Sequence, residues 1–189
     1  MIRFLFLCFF FSFGLSAIAQ DSIFNSLEEA MKHPMRVQVL ILEKLGLEKI
    51  PMTEIGSMPN LKVLKLHKNN IHVMPEELSA LSNLEEMILS SNRIKAIPES
   101  IGDLTKLKLL NLSGNQIRSL PTHLCSIKFL ETLVLHSNEL ETLPSGLENL
   151  EYLKTLDIRG NQLKRLSKKE IKSWFQQSIK VKKSSACNC

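Results

Sequence analysis

Short apolar runs separated by single polar residues return along this chain every twenty-three positions. The fullest copy is Leu107–Phe129, LKLLNLSGNQIRSLPTHLCSIKF, which reads L-x-x-L-x-L-x-x-N-x-I-x-x-L-P-x-x-L-x-x-I. Alternation at Leu110-Asn111-Leu112 has the period of two that marks a short strand with one buried face. The same inward pair recurs as Leu64/Leu66, Met87/Leu89, Leu133/Leu135 and Leu156/Ile158. Three residues beyond each pair stands an asparagine: Asn69, Asn92, Asn115, Asn138 and Asn161. An earlier copy, Val37–Asn60, keeps Leu40, Leu42, Leu47, Ile50 and Pro51, but has Leu45 at the asparagine position and one extra residue between Pro51 and Ile55. No repeat can bury its leucines alone, so the pattern predicts six strands stacked side by side in a parallel sheet.

This frame resembles the leucine-rich repeat, whose signature is L-x-x-L-x-L-x-x-N-x-L, in its 23-residue form with a Leu-Pro step. The resemblance implies an α/β fold, a curved right-handed solenoid with six parallel strands on its concave face and helical caps at both ends. The expected divisions are a signal peptide at 1–19, an N-terminal helical cap at 20–36 and repeats at 37–166. A C-terminal cap helix with a short strand follows at 167–183, then a tail at 184–189. The asparagines read as a structural ladder, because an amide side chain at the exit of a strand can bond backbone groups that the turn leaves unpaired. Pro75, Pro98, Pro121 and Pro144 fit the first position of a short helical turn, with Glu76, Glu77 and Glu99 near its positive end.

The two ends break the pattern. Met1–Ala19 carries Arg3, an apolar run from Phe4 to Leu15 and small residues at Ala17 and Ala19, the composition of a secretory signal peptide with its cleavage site. The run is shorter than a membrane span requires, so the chain is not expected to span a membrane once the signal is cleaved. In Asp21–Pro34, the residues Ile23, Phe24, Leu27, Ala30 and Met31 fall at helical spacing; Asp21 or Ser22 is placed to cap the start and Pro34 to end it. A solenoid needs such a lid over its first repeat. After Leu166, Ser167 and Glu170 form a capping-box pattern, and Ile171, Trp174 and Phe175 share one helical face. Ser178–Lys183 adds a possible final strand through Ile179 and Val181.

The residues that the repeat leaves free are those pointing away from the core on each strand. They read Val39-Ile41-Glu43, Val63-Lys65-His67, Glu86-Ile88-Ser90, Leu109-Asn111-Ser113, Thr132-Val134-His136 and Thr155-Asp157-Arg159. The expected partner-binding set is Val39, Ile41, Val63, Lys65, His67, Ile88, Leu109, Asn111, Val134, His136, Asp157 and Arg159: an apolar strip with charged flanks. One position earlier, Lys62, Glu85, Lys108, Glu131 and Lys154 alternate in sign, which suits a lateral register device. Phe129 and Tyr152 occupy one position a repeat apart and are placed to stack on each other or to anchor a partner. His67 and His136 lie three repeats apart, too far to share a metal ion, and no metal or cofactor is expected.

Charge is uneven. Eight basic residues against one acidic in Lys164–Cys189 contrast with a slight acidic excess over residues 20–163. The basic end suits weak association with an anionic surface or an acidic partner. Nucleic acid is not expected, since no strand face interleaves basic and aromatic residues. Cys125, Cys187 and Cys189 leave an odd thiol in an oxidising compartment, their disulfide state open. Asn111-Leu112-Ser113 fits the glycosylation sequon but lies within a strand. No nucleophile–base or carboxylate pair suggests an enzyme. The family resemblance implies a non-catalytic module that binds a protein, or a glycan, across the concave sheet, secreted or held in the periplasm or cell envelope. The alternative is a structural or self-associating envelope protein.

Overall fold

The computed structural model describes residues 20–163, 168–173, 175 and 179–183. The expected signal peptide, Ser167 and Trp174 of the C-terminal cap and the tail cysteines lie outside them. Each repeat contributes one three-residue strand: β2 (Val39–Ile41), β3 (Val63–Lys65), β4 (Glu86–Ile88), β5 (Leu109–Asn111), β6 (Thr132–Val134) and β7 (Thr155–Asp157). The sheet extends one strand beyond these at either end, to β1 (Ile23–Phe24) and β8 (Lys180–Lys182), and its eight strands run parallel in sequence order. The result is the curved right-handed solenoid that the repeat implies, with the sheet on its concave side.

The middle residue of every repeat strand points inward. Leu40, Leu64, Met87, Leu110, Leu133 and Leu156 lie opposite one another in register and are fully buried. Burying one such side chain contributes about 1.5–3 kcal/mol, and only the next repeat supplies the surface to bury it against. One core therefore runs the length of the stack.

Where the chain leaves each strand it makes a left-handed corner. Lys44, Lys68, Ser91, Gly114, Ser137 and Gly160, one per repeat, have φ between 56° and 65°. The asparagine follows at once and ties the corner to its neighbour. Asn115 Nδ2 donates to Leu112 O of its own repeat (2.9 Å) and to Leu89 O of the preceding one (3.1 Å), while Oδ1 accepts from Ile94 N at 3.0 Å. Asn92, Asn138 and Asn161 make the same three bonds in their own repeats. Leu89 O also accepts from Asn92, so a single carbonyl joins two rungs. In the first repeat, where Leu45 replaces asparagine, Asn69 Oδ1 accepts from both Leu45 N (2.9 Å) and Leu47 N (3.1 Å), and the Leu45 side chain is turned outward, 57% exposed.

The opposite side is built of 3-10 turns at Glu76–Leu81, Glu99–Asp103, Thr122–Ser126 and Leu147–Asn149. Pro75, Pro98 and Pro121 are not their first helical residues, as the sequence suggests, but the extended residues just before, with ψ of 156°, 157° and 151°. Pro144 stands two residues before Gly146, which opens the last turn at φ 90°. In the first repeat the extra residue falls where a one-turn helix, α2 (Met52–Ile55), replaces the 3-10 turn.

The N-terminal lid differs from the helix expected over Asp21–Pro34. Ile23 and Phe24 pair with Val39 and Leu40 as a strand, and the helix, α1, covers only Leu27–Lys32. Its cap is Ser26, whose hydroxyl accepts from Glu29 N at 3.4 Å, rather than Asp21 or Ser22. Pairing satisfies backbone groups at the sheet edge that a longer helix would leave open. At the far end, α3 (Lys168–Ser173) brings Ile171 into the core; Phe175, Ile179 and Val181 are buried after it.

Candidate recognition surface

The outward residues of the strands form two rows. In the first, register places Ile23, Val39, Val63, Glu86, Leu109, Thr132, Thr155 and Lys180 side by side. The second row carries Ile41, Lys65, Ile88, Asn111, Val134, Asp157 and Lys182. Apolar residues do not run straight along either row. From β3 to β6 they cross between rows at each step, Val63 to Ile88 to Leu109 to Val134, while Lys65, Glu86, Asn111 and Thr132 take the complementary path. Diagonal neighbours on adjacent strands lie about 7–8 Å apart, within reach of one another's side chains. The apolar strip is therefore continuous but stepped.

Not every expected contact residue is available. Val39 and Val63 are only 7% and 5% exposed; they lie side by side in the first row, with Ile23 next to Val39. Ile41, Lys65, Ile88, Leu109, Asn111 and Val134 remain half-buried and accessible. Asn111 is engaged locally: its Oδ1 accepts from Ser113 N (3.1 Å) and Ser113 Oγ (2.7 Å). His67 Nδ1 lies 2.9 Å from Glu43 Oε1, while His136 Nδ1 is 3.2 Å from Ser137 Oγ.

The C-terminal end of the face carries the strongest electrostatics. Asp157 is 2% exposed, and Arg159 donates to it through Nε at 2.9 Å and Nη2 at 2.7 Å; Lys182 Nζ is 3.7 Å away. Burial pushes the carboxyl upward, but the hydrogen bonds and charge of Arg159, with His136 nearby, outweigh it and hold Asp157 below the ordinary carboxylate value. The same bonds raise Arg159. Sequence reasoning missed Lys180 and Lys182 as residues of this face, although the alternation Lys180-Val181-Lys182 was the signal: Val181 points inward, so both lysines point out.

Other candidates sit elsewhere. Among the described residues the charge row resolves into two pairs, Glu85 with Lys108 and Glu131 with Lys154, each at 2.6 Å, and Lys62 joins no ion pair. Phe129 and Tyr152 pack with ring centroids 5.5 Å apart at a tilt of 46°, both half-exposed. The Cys125 thiol is pushed up to about 11 by burial and, secondarily, by Glu148, which favours the protonated thiol at neutral pH. An open groove of about 860 Å³ flanks α2, lined by Lys49, Pro51, Glu54, His72, Val73 and Glu77. Among the described residues no three His, Cys, Asp or Glu side chains are placed to hold a metal ion, and no helix is long and apolar enough to cross a membrane.

A stack of one-strand repeats locked by a buried asparagine ladder, with an open sheet face, defines a repeat solenoid. The leucine rich repeat family model matches residues 36–94, 59–117 and 82–140, together more than half of the chain. The chain belongs to the leucine-rich-repeat family, which is generally non-catalytic. An internalin from Listeria monocytogenes is similar in structure (TM-score 0.66, 20% identity, 81% of this chain and 44% of that one). So is the leucine-rich-repeat protein LIC12759 of Leptospira interrogans (TM-score 0.54, 26% identity, 84% and 57%). A plant peptide hormone receptor, RGFR1, solved in complex with RGF2, matches at TM-score 0.59 and 29% identity over 67% of this chain and 21% of that one. The chain thus spans about half the length of the two bacterial proteins. No curated protein sequence is significantly similar to it.

Proposed function

We propose that the protein is a non-catalytic recognition module that binds a protein partner across its concave sheet. The observation that carries this reading is the stepped apolar strip. Ile88, Leu109 and Val134 stay accessible on a sheet face whose inward residues form the core. Accessible aliphatic side chains on neighbouring strands are the usual mark of an interaction surface. The plant receptor, a structural relative, is in complex with RGF2, which is in keeping with the same use of the fold. The composition of Met1–Ala19 favours action outside the cytoplasm, in the envelope or secreted.

The test is a pull-down from envelope and medium of the native host with the chain from Gln20 onward, beside a variant carrying Ile88→Glu, Leu109→Glu and Val134→Glu. Three carboxylates on half-buried outward positions leave the core untouched, and circular dichroism checks the fold. A partner captured only by the unmodified protein supports the reading. Equal capture by both folded proteins moves the site away from the concave sheet, and capture of a second copy alone makes self-association the function.

A further inference from the structure

The basic C-terminal segment and the concave face read as two separate surfaces in the sequence, but the sheet makes them one. β8 pairs with β7 in register, Thr155 opposite Lys180 and Asp157 opposite Lys182, so both lysines continue the outward rows that begin with the apolar strip. The face carries a net positive charge here. At the N-terminal end Glu43 and Glu86 stand with Lys65, and His67 Nδ1 lies 2.9 Å from Glu43 Oε1. At the C-terminal end Asp157 is, among the described residues, the one carboxylate paired with Arg159 and Lys182, both within 4 Å of it. Lys180 is exposed and has no carboxylate partner among the described residues. One carboxylate cannot neutralise three fixed cations, so a positive potential remains on strands two steps beyond Val134. The Arg159 side chain is 52% exposed although its fork is committed to Asp157, so its outer edge still faces the surface.

We infer that the partner's bound segment carries an acidic stretch directly beside its apolar one, the acidic part seated on Arg159, Lys180 and Lys182 and the apolar part on Ile88, Leu109 and Val134. This rests on the concave-sheet reading above and adds the orientation and chemistry of the ligand. An extended protein segment fits because the two subsites lie in line across a face of evenly spaced strands, about 4.8 Å apart, and an apolar flank is part of the site. The lysines steer and orient, and the apolar strip retains.

The probe is a fluorescent synthetic peptide of six glutamates followed by Leu-Thr-Leu-Thr-Leu, titrated with the full chain and read by anisotropy. Expected is saturable binding that weakens about tenfold in Lys180→Glu/Lys182→Glu, weakens measurably in Lys180→Glu alone, and falls several-fold as salt rises from about 50 to about 300 mM. Lys180 is exposed, so its single variant keeps the fold even if loss of the Lys182–Asp157 contact loosens the double one. A peptide with lysines for the glutamates should not bind. Equal binding of the two peptides, no binding of either, or no effect of the lysine variants overturns the inference. Sedimentation of the chain by phosphatidylglycerol vesicles, lost in Lys180→Glu, with no peptide binding, overturns it too and assigns the lysines to a lipid surface. The pull-down separates the two readings. A partner lost from the Ile88/Leu109/Val134 variant but retained by the lysine variant upholds the concave sheet and removes the acidic segment; retention by both removes both.

Discussion

The interior of the stack and its first repeat meet the same requirement with different residues. At Asn115 one buried amide satisfies groups in two repeats, and the carbonyls it uses are shared with the rungs on either side. At Leu45 there is no amide to turn inward, so the apolar side chain faces water and the single oxygen of Asn69 serves two backbone N–H groups. An interior rung is supported from both sides, whereas the corner of the first repeat takes its asparagine bonds from Asn69 alone. The contrast teaches that the ladder, more than the leucine frame, is what a degenerate end repeat gives up.

The comparison breaks most directly at Asn115. Asn115→Ala leaves Ile94 N buried without its partner and should cost about 2–4 kcal/mol in chemical denaturation, whereas Leu45→Ala should stay within about 0.5 kcal/mol. Equal losses would mean that burial alone holds the corners. Next comes the close approach of neighbouring turns. A Cβ at Gly102 would meet the backbone oxygen of His123 in the next repeat at 2.5 Å, while one at Gly56 meets mainly its own turn, with Ala80 Cβ at 3.6 Å. Gly102→Ala should therefore cost about 1–3 kcal/mol, more than Gly56→Ala.

At the other end of the stack, Asp157→Asn should cost about 1 kcal/mol at neutral pH, discounted because Arg159 is half in solvent. Asp157 is held below its ordinary value of 3.8, so its contribution is complete above about pH 5 and is lost as pH falls through the lowered value. The stability difference between variant and parent should close on acidification, and a difference that persists in acid would assign the cost to packing. The smallest effect is a gain. Leu45→Asn should stabilise by about 0.5 kcal/mol if the amide turns inward to Leu42 O, which already accepts from Asn69.

The parts legible in the sequence were those that repeat. Six copies of the same triplet located β2 to β7, and the asparagine spacing gave their register. What stayed hidden occurs once or is carried by dissimilar residues. Ile23 and Phe24 sit at spacings that also fit a helix with Leu27, Ala30 and Met31, and two residues are too few for a period of two to declare itself. The left-handed corner is held by Lys44, Lys68, Ser91 and Ser137 as well as by Gly114 and Gly160, so no glycine pattern marked it. At the candidate site, the outward rows followed from alternation. The burial of Val39 and Val63 did not, since alternation sets the direction of a side chain and not how far its neighbours cover it.

The shared carbonyls of the asparagine ladder also set the currency in which such a chain can evolve. Removing or duplicating twenty-three consecutive residues among the interior repeats returns every Nδ2 and every Oδ1 to a partner of the same kind, because Leu66, Leu89, Leu112 and Leu135 are interchangeable acceptors. A change of length between a strand and its asparagine shifts the frame and orphans a rung, whereas the extra residue of the first repeat falls in the outer turn at α2 and leaves Asn69 bonded to Leu42 O and Leu66 O. Descent by whole repeats can therefore lengthen or shorten the concave face without redesigning the corner, and selection is left free to rewrite the outward rows.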